Sequence, residues 1–444
     1  MIKRLNIKYL AVSLITLITF LVYLPALQND FVNWDDDDYV YENPYIQKIN
    51  ISFFRWAFFD FHAANWHPLT WISHAIDYAM WGLNPLGHHL TNNILHSMNT
   101  LLVILLVIKL AEVFEESRRQ GGTPSAFLHE RTKVIIGAVT GLLFGIHPLH
   151  VESVAWISER KDLLCALFFL LSILSYTKYA RADDEAGKRK LGPRFLHKQY
   201  LFSFGFFVLA LLSKPMAVTL PAVLLIIDWY PYRRTHSVRT FMENFKEKLP
   251  FFFLSLLSSV VTILAQSSGK ALVPLEYSTV ASRLVIGAKA LILYLYKVIS
   301  PVHLIPFYPY PEHVSLLSFY YSFFVLLVIG IAAASIAAAR KQKIWLAIWL
   351  YYVITLLPVL GIIRVGAQSM ADRYAYLPTL GHFILAGLGV AVLFEKVFDL
   401  LKRKILAKAL VSVMSGLAVI LLSYATISQI GIWKSSIVFM ELYH

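Results

Sequence analysis

The chain has 444 residues, 58% of them hydrophobic, with a mean hydropathy of +0.61. A soluble domain is nearer half apolar, so this composition excludes an ordinary soluble fold. The formal charge of +13 does not imply a nucleic-acid partner, because most Lys and Arg sit in short loops between apolar runs, the pattern of cytoplasmic loops in membrane proteins.

A run of about 20 apolar residues crosses a bilayer core as a helix. Such runs fall at 9–28, 88–110, 133–147, 163–180, 199–213, 216–230, 249–266, 315–338, 343–362, 376–395 and 407–430. They predict an all-α polytopic membrane protein of about eleven spans. Runs 133–147, 199–213 and 216–230 are short, and are expected to extend further or to tilt little. Met1 to Lys8 is basic and no small-residue cleavage site follows near Ala26 to Phe31, so run 9–28 reads as an uncleaved first span. Cys165, the one cysteine, lies inside an apolar run and excludes a disulfide framework. Neither an internal repeat nor a low-complexity tract is present.

Charge sets the expected orientation. Segments 1–8, 111–133, 178–198, 230–248, 339–343 and 395–408 hold 27 of the 40 Lys and Arg. Loop 29–87 holds only Lys48 and Arg55 against eight acids. The N-terminus is therefore expected in the cytoplasm and loop 29–87 outside. Residues 283–300 are apolar enough to span, but counting them would put Arg340, Lys341 and Lys343 outside. They read as a re-entrant or interfacial helix, with 283–314 as that segment and its loop. The chain is then expected to end outside, at Glu441 to His444, where a soluble domain of a longer parent would attach.

The outer segments carry the unusual polar residues. FVNWDDDDYVYENP places Asp35, Asp36, Asp37 and Asp38 side by side just past the first span. Adjacent carboxylates repel one another, so the run reads either as a solvated acidic loop or cap, or as a base or divalent-cation site. The rest of the loop is rich in aromatics, including Phe53, Trp56, Trp66, Trp71 and Trp81, which fits juxtamembrane helices at the interface or rings that stack on a saccharide. GIHPLHVESVAWISERKDLL holds His147, His150, Glu152, Glu159, Arg160, Lys161 and Asp162 between two spans. His147, His150 and Glu152 are a weak metal candidate, because they lack a tetrahedral spacing signature. Arg160 and Lys161 suit a phosphate, or ion pairs with Glu159, Asp162 or the aspartate loop. RVGAQSMADRYAYLP adds Arg364, Asp372, Arg373, Tyr374 and Tyr376, and the outer turn SKPMA adds Lys214. Arg364 and Arg373 defy the positive-inside trend, so each needs either a phosphate or an acidic partner. His67, His88 and His89 read as structural.

The acidic pair after the first span, HPLHVESVAWISERKDLL and ADRYAYLP together resemble the transmembrane and tetratricopeptide-repeat O-mannosyltransferases and their bacterial relatives, members of the C-type (GT-C) glycosyltransferases. The resemblance covers nearly the whole chain, and the second segment is its most specific part. It implies a GT-C bundle with an outer-face active site, a polyprenyl-phosphate sugar donor and inverting transfer to a hydroxyl. Counted back from Asn43, the family's acidic pair falls on Asp35 and Asp36. Asp37 and Asp38 stand where the family is less acidic, and its tetratricopeptide repeats are absent from this chain.

The expected reaction is a single displacement at the periplasmic face of a bacterial inner membrane. Asp35 or Asp36 would be the base, and Arg160, Lys161, Lys214, Arg364 and Arg373 would hold the departing phosphate. His147, His150, Glu152, Asp372 and Tyr374 would support the substrate or the site, with Asp35, Asp36, His150 and Glu152 the ligands of any divalent cation. The acceptor is a Ser or Thr hydroxyl of a translocated protein, or a glycan in a lipid-linked saccharide ligase or polymerase. A transporter or flippase is a further alternative, although its charges belong mid-span; a non-enzymatic anchor is another.

Overall fold

The computed structural model describes residues 2–120, 127–185, 197–315, 318–400 and 404–441. Parts of the expected basic segments (121–126, 186–196 and 401–403), residues 316–317 of the eighth run and the chain end at 442–444 lie outside them.

The chain is helical almost throughout, as its composition predicts. Helix α1 (Ile2–Val22) leads into the outer loop, which carries α2 (Ile51–Phe59) and α3 (Pro68–Trp81). The Asn50 side chain caps α2 by accepting from the Phe53 amide at 2.9 Å, and Pro68 opens α3. Their inner faces bury Phe53, Trp56 and Trp71 against Tyr39, Ile46 and Ile157. The expected juxtamembrane helices are thus a small aromatic layer packed on the bundle.

Helix α4 (Pro85–Gln120) comes next, followed by α5 (Glu130–Ile146), α6 (Val151–Ala155) and α7 (Arg160–Glu185). Helix α5 packs closely on α4, because a methyl placed at Gly137 or Gly141 would meet Ile108 or Ile104. At Gly145 it would meet Thr19 of α1. Small residues four apart let membrane helices approach in this way. The chain bends 54° between α5 and the segment ending at Ala155, then breaks again before α7. These breaks free backbone carbonyls that hydrocarbon would leave unpaired. The buried amides of α4 satisfy them: Asn92 donates to the Val154 and Trp156 carbonyls at 3.1 and 3.2 Å, and Asn99 to that of Leu163 at 3.0 Å.

Helices α8 (Lys198–Ser213), α9 (Leu220–Trp229), α10 (Val238–Ser268), α11 (Val280–Ile299), α12 (Phe319–Ala339), α13 (Ile344–Leu356), α14 (Leu380–Leu400), α15 (Lys404–Ile430) and α16 (Ser436–Glu441) complete the chain. Among the described residues seven helices are long and apolar enough to cross a membrane, or eight with the bent pair, and the apolar helices Lys198–Ser213, Pro215–Trp229 and Ile344–Val359 are shorter. Each expected run nevertheless carries a helix among the described residues. Run 133–147 does lengthen, through its bend to Ala155. Runs 199–213 and 216–230 do not, because Lys214 and Pro215 hold the turn between them. Helix α7 is the axis, with 78% of its apolar window buried, against 11% for α12.

Helix α11 is continuous across 283–299. Its cations turn into the protein: Arg283 donates to the Val273 carbonyl at 2.7 Å and Lys297 to the Tyr308 hydroxyl at 2.7 Å. A short antiparallel pair, β1 (Tyr308–Pro309) and β2 (Gln368–Met370), ties the loop after α11 to the segment before Asp372.

Candidate active site

The four aspartates part company at the first turn past α1. Asp36 is 1% exposed, and its carboxylate accepts from the Val32 amide at 2.9 Å, the Ser158 amide at 2.9 Å and the Ser158 hydroxyl. Burial pushes its carboxyl up to about 6, against the pull of those donors. Asp35 faces outward, with its side chain 39% exposed and 3.7 Å from Lys161 Nζ. Burial raises its carboxyl too, while Lys161 pulls it down. Asp38 is exposed and Asp37 half-buried.

From Asp35 an ion-pair cluster runs inward across four separate segments. Lys161 lies 3.1 Å from Glu159. Glu159 also receives Lys214 at 3.0 Å and Arg373 Nε at 3.3 Å, so one carboxylate holds three cations. Lys214 bonds Asp162 at 2.7 Å, and Arg373 pairs with Glu152 through both its backbone amide and its guanidinium. Trp156 underlies the cluster: Lys161 and Arg373 sit 5.5 and 5.3 Å from its ring, which stacks on Trp433 at 5.2 Å. Four acids (Asp35, Glu152, Glu159 and Asp162) therefore interleave with three cations. The cations do not form a bare cradle, because uncompensated charge at a membrane edge is costly. Arg373 nevertheless keeps a side-chain exposure of 12%, and its second terminal nitrogen makes no hydrogen bond among the described residues.

A second network adjoins the first through the backbone of Arg373. Tyr308 donates to both oxygens of Asp372 at 3.0 Å, and Lys297 stands 3.9 Å from the same carboxylate. Burial pushes the Asp372 carboxyl up to about 8. The Tyr374 ring stacks near Arg373 at 5.0 Å, and its hydroxyl accepts from Gln368 at 3.1 Å.

The structure thus gathers Asp35, Lys161, Lys214, Glu152 and Arg373, with Asp372 and Tyr374 beside them. It does not bring Arg160 or Arg364 there. Arg160 is fully buried on the other side of α7, 2.6 Å from Asp77 and 2.9 Å from Asn92. Arg364 stacks 3.7 Å over the Tyr310 ring and makes no ion pair among the described residues. The ring nitrogens of His147 and His150 are bonded inside the protein. His147 accepts from the Leu149 amide and contacts the Val298 carbonyl at 3.1 Å, while His150 bonds the Phe144 carbonyl at 2.9 Å and Thr379 at 3.0 Å. All four ring nitrogens are used, so they do not assemble a metal site with Glu152. No group of three or more His, Cys, Asp or Glu is arranged to hold a metal ion among the described residues. His67 is likewise buried, with burial holding its ring well below the usual histidine range.

Sequence reasoning underrated Glu159, Trp156, Lys297 and Tyr308. The first two lie within a quoted motif, but nothing in their spacing marks Glu159 as shared by three cations. Tyr308 joins the site through strand pairing, and Lys297 through α11, whose Tyr294 hydroxyl bonds the backbone carbonyl and amide of Ala371 at 3.0 Å.

Fold and site define a multi-pass all-α membrane protein with a half-open charged cluster at one end of its bundle. No protein-family model matches the chain. It is similar to the protein O-mannosyl-transferase TMTC4 of Homo sapiens, 36% identical over 127 residues, which is 28% of this chain and 16% of that protein. It is 28% identical over 254 residues to the protein O-mannosyl-transferase tmtc2 of Xenopus laevis, covering 53% of this chain and 26% of that one. The protein O-mannosyl-transferase TMTC1 of Homo sapiens is 29% identical over 233 residues, 50% of this chain and 24% of its own. The chain is a relative of these O-mannosyl-transferases, as its motifs imply, and spans between 16% and 26% of their length.

Proposed function

We propose that the chain is a GT-C glycosyltransferase that moves a sugar, mannose or a similar hexose, from a polyprenyl-phosphate donor to a protein Ser or Thr hydroxyl. The reading places it in a bacterial inner membrane with the Asp35 cluster at the periplasmic face. One observation carries it: of the adjacent acids, Asp35 alone is accessible beside a cationic layer, while Asp36 is saturated by Val32 and Ser158.

In this reaction Asp35 takes the proton of the acceptor hydroxyl. The hydroxyl oxygen attacks the anomeric carbon from the side opposite the phosphate. The bond from that carbon to the phosphate oxygen breaks, and the polyprenyl phosphate leaves with the electron pair. A single displacement inverts the configuration. Arg373 and Lys214, held in place by Glu152, Glu159 and Asp162, meet the charge that grows on the leaving phosphate. Lys161 orients Asp35, and Asp36 fixes the turn that presents it.

The test incubates membranes carrying each variant with a labelled polyprenyl-phosphate mannose. Asp35→Asn should lose about 10²-fold or more of transfer while inserting normally. Wild-type transfer by this variant overturns the assignment of the base. Label appearing in glycan instead of protein would favour a ligase.

A further inference from the structure

The far end of the bundle holds a second site. Helices α4, α5, α7, α9, α13 and α14 line a cavity of about 570 Å³, within the range of about 300–1,000 Å³ typical of ligand pockets. Its walls are apolar, among them Val107, Ile136, Ile173, Ile227, Ile348 and Leu388. Its rim is cationic, formed by Arg118, Arg233, Arg340, Lys341 and Lys343. No Asp or Glu lines it among the described residues, in contrast to the Asp35 cluster, where acids outnumber cations.

The two sites lie at opposite ends of α4. Asn92 of α4 bonds the break beside the Asp35 cluster, and Arg118 lies about 39 Å further along the same helix at 1.5 Å per residue. That is more than the hydrocarbon thickness of a bilayer.

A buried network holds part of the rim in place. Arg234, 5% exposed, donates to Asp228 at 2.7 Å and Glu247 at 3.2 Å. Tyr176 donates to the same Asp228 at 2.8 Å, and Lys248 pairs with Asp228 and Glu247. This fixes the turn after α9, which sets Tyr230 and Arg233 at the mouth. Lys343 is held 5.3 Å over the Trp229 ring.

An apolar slot takes a hydrocarbon chain, and a cationic rim without acids takes an anion. Basic pockets between membrane helices bind anionic head groups for this reason. We propose that this cavity binds an anionic diacyl phospholipid of the leaflet opposite the Asp35 cluster, with an acyl chain among Ile136, Ile173 and Ile348 and the phosphate at Arg233 and Lys343.

Native mass spectrometry of the detergent-purified chain, titrated with phosphatidylglycerol or phosphatidylcholine, tests this. The wild type should retain phosphatidylglycerol roughly tenfold better than phosphatidylcholine, and the double variant Arg233→Gln/Lys343→Gln should lose that preference. Both side chains are exposed, so this variant leaves the core intact. Ala111→Phe, which fills the slot from α4, should lower phosphatidylglycerol retention with the rim intact. Equal retention of the two lipids, or no change in either variant, overturns the proposal. Displacement of phosphatidylglycerol by an equimolar polyprenyl phosphate also overturns it, by giving the slot to a single-chain lipid.

Discussion

Asp35 and Asp36 are chain neighbours of one chemical type, yet three hydrogen-bond donors separate their roles. Asp36 is locked by Val32 and Ser158, and Asp35 is left to its lysine. Asp36 predicts a pH signature. Its carboxyl rises from 3.8 to about 6 on folding, so the folded state binds the proton more tightly, and the stability this adds is full below pH 3.8 and gone above pH 6. The difference is about 3 kcal/mol. Asp36→Asn cannot accept from both Val32 and Ser158, and costs about 1–3 kcal/mol through the unpaired amide. Thermal unfolding in detergent should therefore show the gap between wild type and Asp36→Asn widest near pH 4 and narrowing toward pH 7. A gap that widens with pH would refute the buried, raised carboxyl.

Among the elements, α5 and α7 decide where the site forms. Gly137, Gly141 and Gly145 form one stripe that lets α5 lie against α4 and α1. Gly141→Leu should overpack this contact and cost about 1–3 kcal/mol, read as a lower unfolding temperature. Gly205→Ala, where the added methyl meets nothing within 4 Å, is the silent control. These glycines stand four apart in the sequence, but that spacing names no partner helix, and only the fold shows what they pack against. Long apolar runs announce helices because hydrocarbon demands them. The break between α6 and α7 was harder to foresee, because its carbonyls are satisfied from α4, some 60 residues away. The same limit hid the split between Arg160 and Lys161. The two are adjacent in the motif, but each side of α7 meets a different segment, so the one reaches Asp77 and the other Asp35.

For the molecule as a whole, the charge pattern predicts that loop 29–87 and the turn at Lys341 lie on opposite sides of the membrane. Cys165 is buried, which makes Cys165→Ser a suitable background. With single cysteines replacing Asp60 or Lys341, a membrane-impermeant maleimide added to intact cells should label the Asp60 site and spare the Lys341 site. Labelling of both, or of the Lys341 site alone, would contradict the orientation. The first turn of α7 also constrains traffic to the site. Lys161 fastens the start of the outer loop through Asp35, and Arg160 fastens its far end through Asp77 with a pair sealed from water. A loop riveted at both ends to the central helix serves as a fixed wall and not as a lid. On the proposed function an acceptor would meet that wall already formed, its start closed off where the Trp34 ring tilts against Phe307, 6.0 Å between ring centres.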